Sequence, residues 1–254
     1  MQWSELSGPE VKKFAQTTDV AILPLGCIEM HGPHLPTGTD GIHAGAIANR
    51  AAQIEKAIVL PPLYYNINDE MKCYPGTISI PPRIMLELEE AICKEAARNG
   101  FKKIIIFVSH GGSEHVVDFL MHQLLENNAI AGVSKRSYTV FWVGWEVIAK
   151  AKKETFPDES PEDRHGGAAE TSIIMSLRPD LVRKNKIGET GPYIPKKVKK
   201  AHYFVDWIRQ VPEGFCGEPT KASKEKGERL INIFAQELAK VIRQVKGYNP
   251  EKDA

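Results

Sequence analysis

The amino-acid sequence predicts an α/β protein: a single three-layer α/β/α domain over residues 1–254 with a mostly parallel sheet. Three observations carry that expectation. Short apolar runs rich in β-branched residues, VAILPL from Val20 and KIIIFVS from Lys103, have the continuity of strands covered on both faces. Stretches with helical spacing alternate with these runs, as parallel crossovers require. Glycine and proline mark most of the changes from one to the other.

The first strand is Val20 to Leu25, ending at Gly26. Residues 42–56 are alanine-rich and read as a helix. Residues 58–60 form a second short strand, stopped by Pro61 and Pro62. Residues 82–99 are amphipathic and helical, with proline near the start and Gly100 just past the end. Residues 103–109 are the clearest strand. Residues 114–126 read as a helix, 138–143 as a strand and 168–176 as the start of a further helix. Residues 214–226, rich in Gly, Pro and Lys, read as a loop, and 227–245 as a closing helix. No repeat, low-complexity tract or linker divides the chain. The basic run at 196–200 reads as a solvated loop or strand edge.

Composition narrows the function. The chain has 254 residues, 33 Lys plus Arg against 32 Asp plus Glu, and a net charge of +1. A near-neutral balance argues against nucleic acid as the main partner, because phosphate binding usually leaves a basic footprint. With 42% hydrophobic residues, long disorder is not expected. The apolar runs fall far short of the ~20 residues of a membrane-spanning helix, so no membrane partner is expected. Residues 1–10 lack the basic start and apolar block of a secretory leader. Cys27, Cys73, Cys93 and Cys216 are scattered without a CxxC pair, which fits reduced thiols and a cytoplasmic location.

Three loops concentrate His, Asp and Glu where strands end. The first runs GCIEMHGPHLPTGTD from Gly26. Glu29 and His31, two apart, point to the same side of an extended segment, and the glycines and prolines that follow turn the chain sharply. Asp40 arrives just before a helix, where it is either an N-cap or a third ligand. The second loop, SHGGSEH from Ser109, presents His110 at a strand tip. Its glycines admit close backbone approach, and an anion site at the following helix is the rival reading. The third, HGGAAETS from His165, places Glu170 in a helical first turn. Together Glu29, His31, Asp40, His110 and Glu170 are the inventory for two divalent ions sharing one carboxylate. Mixed imidazole and carboxylate ligands suit Zn, Mn or Fe. Such a pair activates a water and polarises a carbonyl, and His165 is the candidate for proton transfer. Trp142 and Trp145 follow a strand and either line the pocket or pack in the core.

These motifs resemble the creatininase (creatinine amidohydrolase) family. LPLGCIEMHGPHLPTGTD is similar to its opening signature. YPGTISI from Tyr74, SHGGSE and HGGAAETS resemble later blocks, and GEPTKASKEKG from Gly217 the pattern before the last helix. The resemblance implies a three-layer α/β/α fold with a metal centre at the strand ends and a homo-oligomer, a hexamer among the candidates. It implies hydrolysis of a non-peptide C–N amide bond, in a cyclic amide or a formamide, of a small molecule. It also implies that Glu29, His31, Asp40 and His110 are metal ligands with Asp40 as the bridge, and that His165 is the acid/base. In creatininase proper a glutamate ligand stands two residues after the histidine matching His110; here that position is Gly112. The sequence looks like the family's Gly-Gly branch, in which Glu170 completes the second metal site. Met71 stands where many relatives have histidine, so the changes fall on the pocket. The alternative is a non-catalytic metal or small-ligand binding protein on the same fold.

Overall fold

The β-branched runs do form a sheet buried on both faces. In a computed structural model, residues 1–130, 133–134, 138–144, 152–157, 164–188, 207–209 and 211–249 are described. Strands β1 (Val20–Leu25), β2 (Ile58–Val59) and β3 (Lys103–Val108) precede a small antiparallel hairpin, β4 (Ala129–Ile130) with β5 (Val133–Ser134), and then β6 (Thr139–Val143). The main sheet has the order β2-β1-β3-β6, and every pairing in it is parallel.

Among the described residues the longer helices are α1 (Gly8–Ala15), α2 (Thr39–Ile54), α3 (Pro82–Arg98), α4 (Glu114–Asn128), α5 (Ala168–Leu177) and α6 (Lys224–Gly247). Strand residues alternate between the two faces, as the pleat demands. Val20, Ile22, Ile105 and Phe107 pack with α2, α5 and α6. Leu23, Leu25, Ile104, Ile106 and Val108 pack on the other side with α3 and α4. The result is the expected three-layer α/β/α arrangement.

The register positions the chemistry. Leu25 pairs with Val108, and Ser109 N donates to Leu25 O at 2.9 Å. The loops after β1 and β3 therefore leave the same carboxyl edge side by side, where ligands gather in open parallel sheets.

Several elements differ from the sequence reading. Helix α2 starts at Thr39, three residues before the expected position, after a Gly38 that offers no side-chain cap. Asp40 is thus inside the first turn and is not an N-cap; its carboxylate is buried among imidazoles instead. Helix α1 was not foreseen: Gly8 and Pro9 mask it, although Ser7 N donates to Glu10 Oε2 at 2.7 Å across its start. The loop at 214–226 is shorter than expected, because α6 begins at Lys224, with Ser223 Oγ accepting from Lys226 N at 3.2 Å. Trp142 packs against the core between the sheet and α3 and α4. Trp145 and the basic run at 196–200 lie outside the described residues.

Candidate metal centre

Loop 26–38 is held rigidly from outside. Ile78 N donates to Ile28 O at 2.9 Å, and Met30 N donates to Thr77 Oγ1 at 3.2 Å. The Tyr74 hydroxyl in turn donates to Val211 O. The YPGTISI segment therefore contributes no ligand; it braces the loop that carries Glu29 and His31.

The structure brings all six sequence-predicted residues together. His31 Nε2 lies 3.1 Å from Asp40 Oδ1, 3.6 Å from Glu29 Oε1 and 3.7 Å from Glu170 Oε2. His110 Nδ1 lies 3.1 Å from Glu29 Oε1 and 3.3 Å from Asp40 Oδ2. His165 Nδ1 is 3.8 Å from Glu29 Oε1, and its ring stacks on His31 at 4.2 Å between centroids. Asp40 divides its carboxylate, one oxygen toward His31 and the other toward His110. Glu29, His31, Asp40, His110 and Glu170 are all buried.

The outer nitrogens fix the tautomers. His31 Nδ1 faces Glu29 O at 3.2 Å, His110 Nε2 faces Ile67 O at 3.0 Å, and His165 Nε2 faces Met30 O at 2.7 Å. A carbonyl only accepts, so each outer nitrogen carries the hydrogen. In the neutral ring, each inner nitrogen then directs its lone pair at the carboxylates. Metal-ligating histidines are held in this way.

The electrostatics agree. Burial disfavours a charged His31, but Asp40 and Glu170 overcome it and push its pKa up to about 10. His110 is likewise held well above its usual value, against burial, by Glu29 and Asp40. Asp40 is held well below the usual carboxylate range, against burial, by His31 and its hydrogen-bond donors. The cluster draws positive charge. Protons on the imidazoles are one way to meet that demand; divalent ions, with the imidazoles neutral, are the other. Asp40 Oδ2 is buried yet accepts no hydrogen bond. The donor set, its orientation and this oxygen all fit divalent metal.

Two glycines explain the tight geometry. A Cβ at Gly112 would stand 2.7 Å from His110 Nε2, so this position bears no side chain while His110 keeps its place. Gly166, at φ +62°, makes the turn that lets its N–H donate to Glu170 Oε2 at 2.6 Å. The carboxylate near His31 thus comes from α5, not from the loop after β3. Gly112 thus serves close approach to an imidazole, whereas Gly111 borders open space.

Sequence reasoning missed the supporting groups. Asn68, buried, donates through Nδ2 to Glu29 Oε2. His43 Nε2 lies 2.9 Å from Ser109 Oγ and 3.6 Å from Asp40 Oδ1; its position three after Asp40 in one helix was the available signal. His34 Nε2 reaches Gly166 O and Thr171 Oγ1, both at 3.0 Å, and ties the first loop to the third. Burial pushes the His34 pKa down to about 4, so it works as a neutral strut. Trp207 sets its ring edgewise to His165 at 5.5 Å. It lines the pocket over the cluster, a role that Trp142 does not fill.

Fold and site together define a protein with a buried, imidazole-and-carboxylate centre at the carboxyl edge of a parallel sheet. The family model for creatininase, described as creatinine amidohydrolase, matches residues 4–242, and the chain belongs to this family. Creatinine amidohydrolase of Pseudomonas putida is 28% identical over 237 residues, 89% of each chain. A mycofactocin precursor peptide peptidase of Mycolicibacterium smegmatis is 27% identical over 245 residues, 92% of this chain and 87% of its own. A 3-dehydro-scyllo-inosose hydrolase of Thermotoga maritima is 24% identical over 258 residues, 93% of this chain and 80% of its own. A crystal structure of creatinine amidohydrolase superimposes with a TM-score of 0.84 at 26% identity, covering 98% of each chain. A manganese form of creatininase has a TM-score of 0.84 at 25% identity, covering 97% of this chain and 99% of its own. A zinc–zinc form of a creatininase mutant has a TM-score of 0.84 at 25% identity, covering 97% of this chain and 98% of its own.

Proposed function

We propose that this chain is a metal-dependent amidohydrolase that cleaves a non-peptide C–N amide bond, in a cyclic amide or a formamide, of a small molecule. In this reading residues 1–254 form one catalytic domain, cytoplasmic and homo-oligomeric. The observation that carries the proposal is the common orientation of His31 and His110, each donating outward to a backbone carbonyl and aiming its other nitrogen at shared carboxylates. His31, Asp40 and Glu170 would hold one divalent ion; Glu29, His110 and the second oxygen of Asp40 would hold another. Zinc, manganese and iron all suit that donor set. Bound there, the ions supply an acidified water and a Lewis acid for the amide carbonyl.

The protein's own groups do the rest. Asn68 fixes Glu29, and His43 stands beside Asp40, so both carboxylates would be held in place to receive the ions. His165 keeps Nε2 on Met30 O, which leaves Nδ1 to hold a proton over the pocket. As water adds to the carbonyl carbon, Nδ1 takes up the proton the water loses, and as the C–N bond breaks it passes that proton to the departing nitrogen. Trp207 covers His165 and limits water around that proton. The relatives' names support a hydrolase, and that of creatinine amidohydrolase speaks for an amide. One of them is a peptide peptidase, so short peptides belong in the test.

The test is a hydrolysis panel of formamides, lactams including creatinine, and short peptides, with Asp40→Ala and His165→Ala alongside. Asp40→Ala is expected to lose metal and turnover together. His165→Ala is expected to keep its metal and lose roughly 10²–10⁴-fold in rate. Wild-type rate in His165→Ala would remove its assigned role. Loaded metal with no turnover across the panel would favour the non-catalytic binding protein.

A further inference from the structure

One thiol lies against the centre and has no part in the account above. Cys27 stands in the loop after β1, two residues before Glu29, and is fully buried. Its sulphur, a Glu29 carboxylate oxygen and a His110 ring nitrogen all lie within 4.8 Å of one another, and all three residues are buried. Asn68 Nδ2 stands 3.5 Å from Cys27 Sγ while it donates to Glu29 Oε2, so one amide braces both groups.

A second observation points to the same place. Asp40 Oδ2 is buried without a hydrogen bond, and it lies 3.3 Å from His110 Nδ1. Two carboxylates, an imidazole and a thiol are all groups that ligate a divalent ion such as zinc. An ion with donors at about 2.0–2.3 Å holds them roughly 3.5 Å apart, so the cluster closes on it by roughly an ångström. Burial, against the pull of His110, pushes the Cys27 thiol up to about 12. Without an ion the sulphur therefore keeps its proton; a coordinated divalent ion releases that proton to solvent as the thiolate forms.

The two halves of the centre then differ in kind. His31, Asp40 and Glu170 offer nitrogen and oxygen alone, whereas the Glu29 half adds sulphur. Thiolate favours zinc, and carboxylate suits manganese. We propose that Cys27 supplies a thiolate to the ion at Glu29, His110 and Asp40, so that the chain holds a zinc-preferring site beside one of nitrogen and oxygen donors. With four protein donors the Cys27 site is closed; the other, with three, keeps a position open. The proposal rests on the two-ion reading, and its test separates the two.

Cobalt reports the sulphur directly. The chain is stripped of metal and titrated with cobalt(II), and the near-ultraviolet absorption of thiolate-to-cobalt charge transfer is followed. The expected result is a band in the wild type that Cys27→Ser abolishes. Cys73→Ser, at a partly exposed thiol directed at Glu70 O, should preserve it. Cys27→Ser should also weaken zinc binding about tenfold or more and leave manganese binding within about twofold. X-ray absorption at the zinc edge of the loaded wild type needs no variant. It should show one sulphur neighbour at about 2.3 Å for every two zinc ions. Bound metal with no sulphur band and no sulphur neighbour overturns the assignment and leaves the two-ion reading standing. A band that survives Cys27→Ser does the same. A chain that takes up no metal overturns both.

Discussion

Glu89 on α3 is fully buried, and neither carboxylate oxygen has a hydrogen-bond partner. Burial pushes its pKa from 4.5 up to about 8. Below about pH 4.5 the carboxyl is protonated whether the chain is folded or not, and its ionisation adds no cost. Between that point and about pH 8 the unfolded chain releases the proton while the folded chain keeps it. Stability then falls by about 1.4 kcal/mol per pH unit. The penalty is roughly 3 kcal/mol at pH 7 and levels off near roughly 5 kcal/mol above pH 8. Glu89→Gln is neutral at every pH and nearly the same shape. The variant is therefore expected to match the wild type near about pH 5 and to be several kcal/mol more stable near about pH 9. Urea unfolding of both proteins across that range measures the difference, and titrations common to the two cancel. A stability difference that stays flat with pH would refute the reasoning.

Two further substitutions test the site's construction. Gly112→Ala places a methyl 2.7 Å from His110 Nε2, whereas a Cβ at Gly111 meets nothing within 4 Å. Gly112→Ala should cost ~1–3 kcal/mol and weaken metal binding, with Gly111→Ala near neutral; equal effects in thermal melts and metal titrations would count against the packing argument. Asn68→Leu deletes the donor to Glu29 Oε2 and should weaken metal binding about 10–100-fold with little change in fold. Unchanged affinity in a competition titration would show that Glu29 orients itself.

The parts of the molecule legible in the sequence are those whose signal is local. Strands β1 and β3 announce themselves because burial on both faces selects an unbroken β-branched run. Glu29, His31 and His110 stand out because they sit beside Gly and Pro in loops that follow strands, and His165 and Glu170 because they flank the pair Gly166–Gly167. Asp40 was visible as a residue, but its setting was not. Helix α2 begins without a capping side chain, so nothing local marked Thr39 as its start. Asn68 and Trp207 carry no spacing signal. They join the site only because segments distant in sequence fold over it, and an asparagine in a loop looks alike whether it faces solvent or a carboxylate. Trp142 shows the converse. A tryptophan next to a strand end left pocket wall and core both open, and the pleat turned it toward α3 and α4.

Glu29, His31, Asp40, His110 and Glu170 are proposed to hold two divalent ions. Elemental analysis of the purified protein, wild type beside Glu170→Ala, tests it most directly. About two ions per chain in the wild type, falling toward one in the variant, is the predicted result. A wild-type chain that takes up no zinc or manganese even after reconstitution would contradict it.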